Sequence, residues 1–468
     1  MSSSGLYPSS AKAVLRLLYV GKLLHEVPSP GIVLDVDCIR RNCQSMLEAC
    51  DSMSVAWRAH IKTHKTIEVS RLQVGADPNR PANFVVSTIA ELEFILPLLK
   101  EYGFQCRQFN VIYGFPISPE VIPRLANLAA VLGNGSVGIL VDHLAQIEAM
   151  EDFYLMSGGV VPQVHIKIDV GGRRTGVIPG SETFRDLVES LLEAHEGGFL
   201  VLSGLYSHAG HSYAGNSRAE AVSMLETELQ AMMLAADYIN AQQPAAQPLP
   251  LTLSAGASPT ALSIQNLTLP HVITKEEQAA SRKLLTLLAT IREKMYAIEL
   301  HAGVYPLLDL QQLAANSAPD TILSWDRMAL TVLAEVCSVY PDRGIDGRPE
   351  ILIRAGTLVL GREPCKAYPG LGIVTPWGME DSRVPSGNVG EAEGWIVDRF
   401  SQEHGVLVWT GKAGEHCLMP LRVGQKIRLW PNHACITASH FDWYYVVDGS
   451  EQGEADKVVD IWVRVRGW

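Results

Sequence analysis

The stretch that decides the fold is Ser136-Val-Gly-Ile-Leu-Val141, a helical pattern from His143 to Met150, and then Gln163-Val-His-Ile-Lys-Ile-Asp169. Two short apolar runs joined by a helix-period segment read as a βαβ unit. The alternation extends in both directions. Upstream, Gly31 to Asp35 reads as a strand and Cys38 to Cys50 as its helix, Val55-Ala-Trp57 as a strand end, Phe84 to Ser87 and Phe109 to Tyr113 as strands, and Ala90 to Tyr102 and Pro119 to Leu128 as helices. Downstream, Leu202 to Ser207, Leu251 to Ser254 and Ile298 to His301 read as strands, with helices at Ser181 to Ala194 and Arg218 to Asn240. The series supplies about eight parallel strands, and its length fits a (β/α)8 barrel better than an open sheet. No Gly-x-Gly-x-x-Gly turn follows the first strand, which argues against a dinucleotide fold.

After about residue 325 the texture changes to short strand-like runs separated by Gly, Pro, Asp and Asn. The expected architecture is an α/β barrel followed by a C-terminal all-β domain. The expected divisions are an N-terminal segment over 1–30 packing on the β domain, a barrel over 31–320 and a β domain over 321–468.

At 468 residues the chain is long enough for two sizeable cores. Its 47% hydrophobic and 19% charged content is that of a globular protein. The formal charge of -12 argues against a nucleic acid or an anionic membrane as partner. The amphipathic stretch Ala11 to Leu24 is interrupted by Arg16 and Lys22, and no later apolar run reaches the roughly 18 residues of a membrane helix. The eight cysteines form no Cys-x-x-Cys pair and read as reduced thiols. A cytoplasmic enzyme acting on a small molecule is the expectation.

Chemistry should lie at the C-terminal ends of the barrel strands. There the tract His60-Ile-Lys-Thr-His-Lys65 places two lysines and two histidines in six residues. If the backbone stays extended, His60, Lys62 and His64 share one face. Neighbouring histidines could lower the lysine pKa if charged or shape a pocket if neutral, and such a lysine forms Schiff bases. A solvated basic loop would read the same. Asp169-Val-Gly-Gly-Arg-Arg-Thr-Gly176 offers arginines for an anion, or is an ordinary strand-to-helix turn. Tyr206-Ser-His-Ala-Gly-His-Ser-Tyr213 reads as a pocket wall. Ser254-Ala-Gly-Ala-Ser-Pro-Thr260 has the small residues that let backbone N–H groups approach a phosphate, as a plain turn also has. Glu299 to Asp309 puts polar residues on a buried strand, which need partners. In the second domain, His433 and Cys435 stand at i and i+2, and on a strand both would point the same way as metal ligands. Ser401-Gln-Glu-His-Gly405 reads as a turn or as a polar cluster supporting a nearby site.

In combination these segments resemble the eukaryotic, fungal-type D-serine dehydratases, relatives of the D-threonine aldolases and of the alanine-racemase-like, fold-type III pyridoxal phosphate enzymes. The likeness runs in order from about residue 10 to the end, through Pro28-Ser-Pro30 and the tracts above to Asp460-Ile-Trp-Val-Arg-Val-Arg-Gly-Trp468. It implies that Lys62 carries pyridoxal 5'-phosphate, with Lys65 as the fallback. It implies cofactor contacts from Arg174, Tyr206 and Tyr213, and a phosphate loop including Ser254, Gly256, Ser258 and Thr260. It implies zinc on His433 and Cys435, a D-3-hydroxy amino acid substrate, and a homodimer. Conversion of D-serine to pyruvate and ammonia, by α-proton abstraction and zinc-assisted loss of the β-hydroxyl, is the implied reaction. The same scaffold also serves D-threonine aldolase and D-threo-3-hydroxyaspartate dehydratase, and a non-catalytic pyridoxal phosphate carrier would resemble the barrel alone. Ala59, Arg173, Ala257 and Val304 depart from the family pattern, and they leave the lysine and the metal pair in place.

Overall fold

The computed structural model describes residues 9–244, 247–270, 273–376, 394–410, 420–451 and 454–468. Eight parallel strands close into a barrel: β2 (Ala56–His60), β3 (Ala82–Val86), β4 (Phe109–Pro116), β5 (Val137–Val141), β6 (Gln163–Ile168), β7 (Val201–Ser207), β8 (Thr252–Ala255) and β9 (Ala297–Ala302). β9 returns to pair with β2.

The strand β1 (Gly31–Asp35) was expected to open the barrel and does not. It lies in the second sheet, antiparallel to one strand and parallel to another. Its run of buried apolar residues would suit either sheet, and hydrophobicity does not choose neighbours. Gly31 shows the fit, since a Cβ there would stand 2.6 Å from the Tyr445 ring.

The second sheet has nine strands. Besides β1 it contains β10 (Leu330–Tyr340), β11 (Glu350–Ile353), β12 (Gly372–Pro376), β13 (Trp395–Phe400), β14 (Gly405–Trp409), β15 (Lys426–Pro431), β16 (Trp443–Val447) and β17 (Asp460–Val463), in the order β11-β14-β13-β12-β15-β10-β1-β16-β17. Ser401 to Gly405 forms the tight link between β13 and β14, as expected of a turn. The N-terminal helix Lys12–Tyr19 packs beside β17, with Leu15 and Tyr19 against that edge's apolar cluster.

Period-two alternation explains how the barrel is filled. On β6, Val164, Ile166 and Ile168 join the apolar layer between strands and helices, while His165 and Lys167 point inward. The outer helices bury one face each. Helix Val36–Ser52 is capped by Asp35, whose carboxylate accepts from the Asp37 N–H at 3.0 Å, and buries Ile39, Cys43, Met46 and Leu47. The same apolar cluster runs on into the second sheet, so one core joins the two parts. The seven described cysteines are unpaired, and Cys417 lies outside the described residues. Among the described residues no helix is long and apolar enough to cross a membrane.

Candidate active site

β2 ends at His60, and the chain then turns rather than staying extended. The Lys65 N–H closes on the Ile61 carbonyl at 2.8 Å, and Lys65 takes φ +51°. The turn keeps His60 beside Lys62, whose N–H donates to His60 Nδ1 at 3.4 Å, and carries His64 away from both. His64 is buried away from the mouth, bonded to Gln73 at 2.9 Å and to Thr66 at 3.2 Å, and burial lowers its pKa to about 3. Lys65 pairs with the fully buried Glu91 at 2.8 Å. Lys62 alone lines the cavity at the barrel mouth, and among the described residues it has no ion-pair partner.

That cavity, about 730 Å³, also takes in Arg174, His208, Tyr213, Glu363, His433 and Cys435. Five of the residues singled out in the sequence thus meet in one place: Lys62, Arg174, Tyr213, His433 and Cys435. His433 and Cys435 are not on a strand. His433 caps the short helix Ala434–Ser439 that follows β15, and Cys435 lies in its first turn. The two side chains still converge on the cavity, each favouring the charged form of the other. Burial pushes the Cys435 thiol up, but His433 and Lys62 outweigh it and hold the thiol below its ordinary value. Burial also opposes charge on His433, yet Cys435, Asp309 and Glu363 raise its pKa. His433 Nδ1 is buried without a hydrogen-bond partner, and Glu363 Oε2 stands 4.0 Å away. A thiol whose ionisation these charges favour, beside an imidazole nitrogen without a protein partner, offers donors that suit a zinc-type ion once the imidazole proton is displaced. Among the described residues no group of three or more His, Cys, Asp or Glu side chains gathers as a metal cage, so this pair would leave coordination positions open.

The turn carrying Lys62 is held from the second domain. Thr63 Oγ1 lies 3.1 Å from Cys435 Sγ, Tyr444 O–H donates to the His64 carbonyl at 3.0 Å, and the Val465 N–H donates to the Lys65 carbonyl at 3.0 Å. Asp309 makes a further link. It caps helix Leu310–Ala315 and accepts from the Ala434 N–H at 2.8 Å, which fixes the helix bearing Cys435.

Other sequence candidates lie deeper. Tyr206 stacks on His301, with ring centroids 4.1 Å apart. Ser254 Oγ donates to Glu299 Oε1 at 2.8 Å and lies 3.0 Å from His301 Nδ1, so its hydroxyl is engaged inside the barrel. Gly256 passes so close to the next strand that a Cβ would sit 2.1 Å from the His301 carbonyl, which no other residue could accommodate. The Gly256 carbonyl in turn bonds His208 Nδ1 at 2.7 Å. Thr260 Oγ1 accepts from the Ala257 N–H at 2.8 Å, and Ser258 Oγ accepts from the Val304 N–H at 3.3 Å. These bonds shape the loop at the end of β8. Burial, then the nearby Cys435 and Asp309, raises the Tyr213 pKa.

Arg58, His165 and Lys167 were not singled out in the sequence, and they gather with His60, His208, Glu299 and His301 of the tracts already named. Arg58 on β2 pairs with Glu299 on β9 at 2.6 Å, with both side chains buried. Burial would raise Glu299, but the Arg58 charge wins and holds it ionised. His60, His208 and His301 are all lowered well below ordinary values, by burial first and then by surrounding positive charge that includes Lys62. They are neutral at pH 7. Lys167, 5.3 Å over the Tyr206 ring, is lowered by burial to about 8. The signal for these residues was the inward half of the strand alternation, legible once β6 and β9 are read as barrel strands.

Family models match both parts of the chain. Residues 34–272 match the alanine racemase N-terminal domain, and residues 329–447 match the putative serine dehydratase domain. The chain is 34% identical to D-serine dehydratase of Schizosaccharomyces pombe, with 100% of this chain and 98% of the relative covered. The chain belongs to the D-serine dehydratase family. The enzyme of this name from Saccharomyces cerevisiae is 31% identical, over 96% of this chain and 98% of its own. Among solved structures, D-threo-3-hydroxyaspartate dehydratase from Delftia sp. superposes with TM-score 0.71 at 26% identity, covering 96% of this chain and 100% of that one. A cysteine-to-alanine variant of that enzyme in the metal-free form matches at the same TM-score. This chain is accordingly a lyase of the D-serine dehydratase type, and its fold and family imply pyridoxal phosphate.

Proposed function

We propose that this D-serine dehydratase is pyridoxal-phosphate- and zinc-dependent and releases pyruvate and ammonia from D-serine in the cytoplasm, as a homodimer. The observation that carries the reading is the opening of Lys62 from the barrel, and of His433 and Cys435 from the second domain, into one cavity. Bound pyridoxal phosphate supplies the electron sink for the pair left when the α-proton departs. Zinc on His433 and Cys435 would supply Lewis acidity for departure of the β-hydroxyl, a poor leaving group otherwise.

Lys62 holds the cofactor and, once free, its amine takes the α-proton. Arg174 and Tyr213 would face the bound molecule from the neighbouring loops after β6 and β7, and Gly256, Ser258 and Thr260 shape the loop for the phosphate. Ser254 and Tyr206 act through His301, which they fix by a hydrogen bond and a stack. The neutral histidines line the mouth without adding charge beside Lys62. The Thr63–Cys435 contact sets the distance between the proton-abstracting amine and the metal pair.

The test is product release from D- and L-3-hydroxy amino acids, with and without added zinc. Pyruvate from D-serine, abolished by a chelator while cofactor absorbance persists, supports the reading. Full activity in metal-free protein removes zinc from it. Glycine with an aldehyde would assign aldolase activity. Oxaloacetate as the main product would assign hydroxyaspartate dehydration, and absence of any turnover would assign a carrier.

A further inference from the structure

A second cavity, about 780 Å³, opens among the helices Val36–Ser52, Ile67–Val74 and Ile89–Phe104. Arg71, Gly75, Glu101 and Gln105 bring the C-terminal ends of two of these helices to its wall. Barrel helices run antiparallel to the strands they follow, so this is the end of the barrel opposite the mouth.

Arg40, Arg41, Arg71, Arg107 and Arg327 line it against one carboxylate, Glu101. That excess of guanidinium groups stands out in a chain of net charge -12. Helix C-termini carry partial negative charge, which would repel an anion. Here that charge is covered. Arg107 donates to the Val74 carbonyl at 2.8 Å and to the Gly75 and Arg80 carbonyls at 2.9 Å each, while its guanidinium lies 4.7 Å over the Tyr102 ring. Arg71 is engaged by Glu101, Arg41 by Asp37 and Arg40 by Asp448. Arg327 is different: its Nη1 is closed off from water with no hydrogen-bond acceptor. Burial, then the charge of Arg41, pushes its pKa down. Among the described residues Arg327 also has no carboxylate partner, so its guanidinium, beside that of Arg41, is left at the cavity wall for an anion to complete.

We propose that this cavity binds a small polyanion, bearing either a phosphate or several carboxylates, at a site separate from the barrel mouth. The volume is that of an ordinary metabolite site, and paired arginines are suited to planar or tetrahedral oxyanions.

The test uses the cofactor-loaded enzyme, whose phosphate loop at the mouth is already filled. Calorimetry and thermal melting are run with inorganic phosphate and with tricarballylate, each against sodium chloride of equal ionic strength. Pyrophosphate and citrate are avoided because they strip metals. Saturable binding with a rise in melting temperature is expected for at least one probe, weakened at least tenfold in R41Q/R327Q. The variant Q44E adds a negative charge at an exposed lining position, leaves every partner of the arginines in place because Gln44 bonds Glu48, and should weaken binding in the same direction. Binding of phosphate alone assigns a phosphorylated ligand, and of tricarballylate alone a polycarboxylate. No saturable binding by either probe, or equal affinity in both variants, overturns the proposal.

Discussion

The inside of the barrel and the inside of the nine-stranded sheet are both closed to water, yet they hold opposite residues. The sheet buries Ile32, Leu34, Val332, Ile353 and Leu429. The barrel buries Arg58, Asn110, His165, Lys167, Glu299 and His301. An apolar core tolerates no charge and asks for none. The barrel interior instead fixes the protonation of each group, with Glu299 ionised by Arg58 and the histidines kept neutral by burial. The sheet keeps the chain folded. The lumen keeps the residues at the mouth in defined states.

The sharpest test of that contrast is Lys62→Ala. Turnover should fall by about 10³–10⁴-fold or more, with loss of the visible absorbance of bound cofactor and an unchanged melting temperature. Cofactor retained at full absorbance would move the anchor to another lysine, with Lys65 the first to examine. Next in size is Arg58→Met, which leaves Glu299 buried and unpaired and should cost about 3–5 kcal/mol of stability. Its counterpart in the sheet is Leu34→Ala, expected to cost about 2–5 kcal/mol by leaving a cavity. The two differ in a second readout. Activity per folded molecule should drop for the Arg58 variant, since Glu299 and Ser254 fix His301, and should hold for the Leu34 variant. Equal retention of activity in both would break the division between lumen and sheet.

Lys65→Met probes the border between the two regions. It removes the partner of fully buried Glu91, which also accepts from the Ser87 N–H at 2.8 Å. A stability loss of about 2–3 kcal/mol is expected from urea unfolding, because one charge-assisted bond survives at Glu91. Cofactor absorbance should remain. Loss of the absorbance with Lys65, and not with Lys62, would exchange the roles of the two lysines.

Much of this was legible in the chain. The strand and helix alternation predicted the barrel, and the short runs after residue 325 predicted the β domain. What failed was assignment of β1, because an all-apolar strand carries no label for its sheet. The tract at 60–65 marked the mouth, but its geometry did not follow from period two. The strand ends at His60, and the turn leaves His60 beside Lys62, buries His64 against Gln73 and pairs Lys65 with Glu91. His433 and Cys435 were readable as a pair even though the strand on which they were placed is a helix start. Arg58, His165 and Lys167 went unread because an inward polar residue on a strand looks like an outward one until the barrel is closed.

The smallest expected effect concerns acid. His165, facing Arg58 and Glu299, has its pKa lowered to about 4 by burial, then by the Arg58 charge, and His64 is lowered to about 3. Both titrate near 6.5 in the unfolded chain. Above pH 7 they are neutral in both states and cost nothing. As pH falls from 6.5 towards 4 the unfolded state takes up protons that the folded state refuses. Stability should then decline by about 1.4 kcal/mol per pH unit for each histidine. In His165→Gln the slope of unfolding free energy between pH 6 and 4.5 should flatten by about that amount. An unchanged slope would mean that His165 takes up its proton in the folded barrel, and that the lumen admits charge as readily as solvent does.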